Sequence, residues 1–270
     1  LTLARACPWG RAWAPPRWRH QAPGAPWWVA AAWRAADKAL MSEAVESRWV
    51  DTPAGQVEVK LWIPAGDHPV AVALMVHGMS SSPEIIWEWG CIAETLRGRK
   101  TAVVHPNLHS CDGASPAAGE PQATVAALEA IAAWAVGQVG SGSATPLLVY
   151  GKSWGGGRAF ELCERLGGGG DAGSSLRVAG LVLACPALAL EEGRAARLEA
   201  LGDVPTLLAW AKDDKVIPFA SSEPLLAALR ARDAGATVFV PVEASPTNSP
   251  SGPTWRWDRW RPAVPWRGWR

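Results

Sequence analysis

Histidine runs out early in this chain. The imidazoles are His20, His68, His77, His105 and His109, so nothing after residue 109 supplies a histidine base or metal ligand. A surplus of either charge is also missing: 26 Lys and Arg against 25 Asp and Glu give a net charge of +1. That balance provides no global field for nucleic acid or an acidic partner. No stretch of 18 apolar residues is free of charge, which argues against a membrane-spanning helix. The cysteines (Cys7, Cys91, Cys111, Cys163 and Cys185) are odd in number, far apart and without a C-x-x-C pair. Such spacing argues against a disulfide framework or a zinc site and fits buried thiols in a reducing compartment, the cytoplasm.

What is present in excess is tryptophan, 18 in all, with 11 of them in residues 1–40 and 255–270. The first segment has no acidic residue before Asp37, and the last is built from Trp, Arg and Pro. Neither carries a periodicity from which a packed element follows. The chain opens on Leu1, and its first methionine is Met41. Residues 1–40 are therefore expected to be an irregular leader outside the fold, of untranslated or out-of-frame origin. Organelle targeting is the rival reading, weakened by the absence of serine from residues 1–36. Residues 244–270 are expected to be an irregular tail, leaving 41–243 as the folded domain.

Within 41–243 apolar runs and helical periods alternate. Two short alternating runs flank Pro53-Ala54-Gly55, a hairpin signal. Continuous apolar runs at 69–78, 101–107, 146–151, 178–188, 204–211 and 236–242 read as buried strands. Between them, helices are predicted over 83–98, 121–139, 155–166, 191–202 and 221–235. In the second of these, Leu128, Ile131, Ala132 and Ala135 share one face. Strands alternating with helices predict an α/β fold, a doubly wound and mostly parallel sheet.

The stretch "YGKSWGGG" (150–157) holds two motifs at once, the end of a phosphate-binding P-loop and a G-x-S-x-G turn. A P-loop places glycines before the lysine so that backbone N–H groups cradle phosphate. Its first glycine would fall at position 146, which is Pro146. The glycines here follow the serine instead. A nucleophile elbow needs small residues two before and two after the serine, met by Gly151 and Gly155, between a strand and a helix. That context is present, so Ser153 is the candidate nucleophile. Lys152, inside the turn, reads as a partly solvated side chain.

Three motifs, "LMVHGMSSS", "GKSWGGG" and "LLAWAKDDKVIPF", together resemble the α/β-hydrolase superfamily over residues 47–243. The resemblance implies a serine hydrolase acting on carboxylic esters or thioesters through an acyl-enzyme, with a small-molecule acyl substrate and no cofactor or metal. It implies an oxyanion hole from the backbone N–H groups of Met79 and Trp154. It also implies Asp214 as the orienting acid, ahead of Asp213. The short connection between the strands ending near 188 and starting near 204 leaves no room for a large lid. The oligomeric state is not fixed by any motif.

The resemblance also implies a histidine in the loop after the last strand, where the chain reads "EASPTNSPSGPTWRW". Without an imidazole the Ser153 hydroxyl is a poor nucleophile at neutral pH. Three expectations stand. The C-terminal segment is displaced by misread sequence, or the chain is a non-catalytic binding or scaffold member of the fold, or a displaced base, His105 or His109, serves Ser153.

Overall fold

The computed structural model describes residues 45–64, 68–79, 96, 99–108, 121–139, 145–167, 176–190, 193, 197–232 and 237–242. The chain falls into two units, Leu1–Glu43 and Ala44–Arg270, and all described residues belong to the second.

Strands β1 (Val45–Thr52) and β2 (Gly55–Trp62) form the predicted antiparallel hairpin, in register from Val45↔Trp62 to Thr52↔Gly55. Then follow β3 (Ala71–Val76), β4 (Thr101–Pro106), helix α1 (Pro121–Gln138), β5 (Pro146–Lys152) and α2 (Trp154–Gly167). The rest is β6 (Arg177–Ala184), β7 (Thr206–Ala211), α3 (Ser222–Ala231) and β8 (Thr237–Val242). These strands make one sheet in the order β1-β2-β4-β3-β5-β6-β7-β8. Every neighbouring pair from β4 to β8 is parallel, and only β2 runs against the rest. Parallel neighbours need long crossovers, and α1, α2 and α3 supply three of them. β8, which contains Pro241, is the last strand of the sheet.

All six residues of β3 and of β4 are buried, as continuous apolar runs require when both sheet faces are covered. On one face Val72, Leu74, Val76, Val149, Leu183 and Trp210 join Leu128 and Ile131 of α1, Phe160 and Leu162 of α2, and Leu225 and Leu229 of α3. The predicted stripe Leu128, Ile131, Ala132 and Ala135 is fully buried there. Burying a Leu or Phe side chain contributes about 1.5–3 kcal/mol, so this face is the main stabilising layer. The other face gathers Trp62, Ala73, Met75, Val103, Tyr150 and Ala184. Leu96, the described residue of the helix expected over 83–98, is helical and packs against that second face.

Two expectations are corrected. The strand predicted over 178–188 ends at Ala184; Cys185 turns at φ +43 and a 3-10 turn follows over Ala187–Leu190. Pro186 has no N–H to continue a ladder, and the next one, on Ala187, is spent on the Ser153 carbonyl at 2.8 Å. Of the helix predicted over 191–202, Arg197 is helical and Leu198–Leu201 close as a 3-10 turn, bounded by Gly202 at φ +54. Among the described residues no helix is long and apolar enough to cross a membrane.

Candidate active site

β5 ends at Lys152, and Ser153 follows at φ +52 before the chain enters α2. Left-handed backbone costs a residue with a side chain about 1–2 kcal/mol, so the surroundings must hold Ser153 there. They do so through three backbone bonds. The Ser153 N–H donates to Ala184 at 3.0 Å, and its carbonyl accepts from Gly156 at 2.9 Å and from Ala187 at 2.8 Å. The elbow is thereby fastened to the end of β6.

The glycines around Ser153 answer to sterics. A Cβ on Gly151 would stand 2.4 Å from the Gly155 carbonyl oxygen and 2.6 Å from the Ala159 Cβ. One on Gly155 would stand 2.2 Å from the His77 carbonyl oxygen. A third requirement was not legible in the motif: a Cβ on Gly156 would stand 2.7 Å from the Pro186 Cβ. Gly155 presses on the end of β3, so the His77 carbonyl stands beside the N-terminus of α2, where Trp154 begins the helix. The first N–H groups of a helix have no partner within it. Met79 is exposed.

His77 works through its ring on the backbone. Its Nε2 accepts the Leu108 N–H at 3.1 Å, so the proton sits on Nδ1, which donates to the Gly78 carbonyl at 2.8 Å. The neutral ring thus ties the loop after β3 to the loop after β4. His105 lies on β4, with β3 between it and β5. It is wholly buried, and neither ring nitrogen has a hydrogen-bond partner, Ser153 included. Its ring centroid is 5.9 Å from that of His77. Burial, and then the neighbouring His77, hold its imidazole well below the ordinary range, favouring the neutral form. His109 lies outside the described residues.

Asp214 stands in the loop after β7. Its Oδ1 accepts the backbone N–H groups of Val216 and Ile217, both at 2.9 Å. The loop is fastened again by Trp210, whose buried Nε1–H donates to the Ile217 carbonyl at 3.0 Å. β5, β6 and β7 are adjacent and parallel, with Lys152 opposite Ala184 and Ala184 opposite Ala209. That register brings Lys152, Cys185 and Asp214 together at the carboxyl ends of three strands. The Cys185 thiol lies beside the Asp214 carboxylate, and burial pushes the thiol up to about 12. Burial draws the Lys152 amine down to about 8, against the opposing influence of Cys185 and Asp214. Neither Lys152 nor Cys185 was expected at the site. The signal available was positional: one stands inside the elbow, the other before the proline that ends β6.

No family model matches the chain, and no curated protein does. Solved structures do. An α/β serine hydrolase homologue from Coxiella burnetii is similar at TM-score 0.56 and 17% identity, covering 74% of this chain and 88% of the other. A serine hydrolase without a lid from Xanthomonas campestris has TM-score 0.56 and 16% identity, over 82% and 97%. The esterase domain of a Rhodothermus marinus protein has TM-score 0.54 and 15% identity, over 74% and 88%. The fold of this chain is that of the α/β hydrolases.

Proposed function

We propose that the chain is a serine hydrolase that cleaves carboxylic esters or thioesters of small-molecule acyl substrates through an acyl-enzyme. The observation that carries this reading is Ser153 at φ +52 between β5 and α2, with glycines where side chains would collide. Backbone strain kept at one serine over the carboxyl end of a parallel sheet marks a functional position. Ser153 Oγ attacks the acyl carbon, the Met79 and Trp154 N–H groups receive the developing oxyanion, and Asp214 is the acidic member of the site. The connection from β6 to β7 fits an enzyme without a large lid, as does the likeness to a lidless hydrolase. The buried free thiols Cys163 and Cys185 suit a reducing, cytoplasmic setting.

A pre-steady-state assay with a p-nitrophenyl acyl ester tests this. A burst that Ser153→Ala abolishes, followed by turnover, supports the hydrolase. A trace without a burst, unchanged by Ser153→Ala, favours the second reading, a non-catalytic binding member of the fold, for which the lack of histidine after residue 109 is the motive.

A further inference from the structure

The site holds a nucleophile and an acid, but no histidine follows the acid in the chain. Lys152 immediately precedes Ser153, and the parallel register of β5, β6 and β7 sets it at the carboxyl edge of the sheet beside the ends of β6 and β7. There the Cys185 thiol lies beside Asp214, and both groups act electrostatically on the lysine amine. In a regular strand residues 152 and 153 would point to opposite faces. The left-handed turn at Ser153 breaks that alternation, so consecutive side chains can both stand over the carboxyl edge of the sheet.

Resting on the hydrolase reading of Ser153, we infer that Lys152 is the base for Ser153, with the Asp214 carboxylate beside it orienting the amine. In the acylation step Lys152 Nζ accepts the Ser153 hydroxyl proton as Oγ bonds to the acyl carbon. The tetrahedral intermediate then expels the alcohol or thiol, which leaves with a proton from the Nζ ammonium. In deacylation the amine takes a proton from water, hydroxide adds to the acyl carbon, and Ser153 departs as the proton returns to Oγ. Each half returns the lysine to its neutral state, and no other reactant is required. A base with a proton affinity close to working pH is the most effective one, and burial moves the amine in that direction. Among the described residues, Asp214 and Cys185 act on it electrostatically, and Tyr150, two residues before it on β5, is also buried.

The experiment is the burst rate with a p-nitrophenyl acyl ester from pH 6 to 10, for the full chain and for Ser153→Ala, Lys152→Met, Lys152→Arg and His105→Phe. Circular dichroism on each variant reports folding. The expected result is a Ser153-dependent burst that rises with pH to an inflection near 8 and falls about 100-fold or more in both lysine variants. Arginine keeps the cation and loses the base, so it separates proton transfer from mere charge beside Asp214. A Lys152→Arg burst within a few-fold of the unaltered chain, with an unchanged pH profile, overturns the base role while the hydrolase reading stands. Loss of the burst in His105→Phe alone transfers the role to His105. Absence of any Ser153-dependent burst in the unaltered chain overturns both readings together. Should the lysine variants fail to fold, the unaltered chain still decides, because a burst rate flat between pH 7 and 9 excludes a base of this kind.

Discussion

The backbone of Gly155 lies so close to His77 that a Cβ added to the glycine would stand 2.2 Å from the His77 carbonyl oxygen. Both partners are main chain, so neither yields without moving the elbow or the end of β3. Gly155→Ala is expected to destabilise the fold by about 3 kcal/mol or more, at the upper end of overpacking effects. Gly137→Ala in α1, where nothing lies within 4 Å, serves as the contrast. It should stabilise by about 0.5–1 kcal/mol through helix propensity. Urea midpoints of the two variants moving in opposite directions would check the pair.

Ser153 predicts a trade between stability and activity. Glycine adopts the left-handed region freely, whereas alanine keeps the penalty. Ser153→Gly should therefore unfold at higher urea than Ser153→Ala, by about 1 kcal/mol, with both lacking the burst. Equal midpoints would mean that the φ of +52 at Ser153 carries no strain.

Trp210 supports the acid from below. Trp210→Phe removes the donor to the Ile217 carbonyl and leaves a buried acceptor unpaired, a loss of about 1–3 kcal/mol. Because Ile217 also donates its N–H to Asp214 Oδ1, the same change should lower the burst rate. A stability loss with an unaltered burst rate would show that the loop holds Asp214 without the tryptophan.

Lys152 leaves a signature in the pH dependence of stability. Its amine is lowered from 10.5 to about 8 in the folded chain. Between those values the unfolded chain keeps a proton that the folded chain has released, so this group makes stability rise with pH across that window. Cys185 acts oppositely from 9.0 to about 12, because its thiol ionises first in the unfolded chain. Comparison with Lys152→Met removes the shared cysteine contribution. The variant should be the more stable at pH 7, with the gap closing toward pH 10.5. A gap that stays constant over that range would contradict a buried, charge-disfavoured amine.

The elbow was legible because its sterics are written in residue types at fixed spacing: Gly151, Ser153 and Gly155 lie within five positions of one another. The mostly parallel sheet was likewise implied by apolar runs alternating with helical periods. Gly156 was not legible, because its constraint comes from Pro186, at the end of the next strand. The grouping of Lys152, Cys185 and Asp214 was hidden for the same reason, since it depends on how β5, β6 and β7 are set side by side. The strand overextended past Ala184 shows the converse. Apolar composition continues there, but Pro186 and the needs of the Ser153 carbonyl end the ladder.

The ends of the sheet bear on how this molecule behaves among copies of itself. An open strand edge is a template on which a foreign strand can grow. At β8 the sequence places Pro241, opposite Trp210 of β7 in the parallel register, and a proline deletes one N–H from any ladder that passes it. At β1 the outward residues include Glu46, Arg48 and Asp51, all exposed, with Glu46 and Arg48 ion-paired. Among the described residues, the margins of the sheet thus carry a proline on one side and solvated charge on the other.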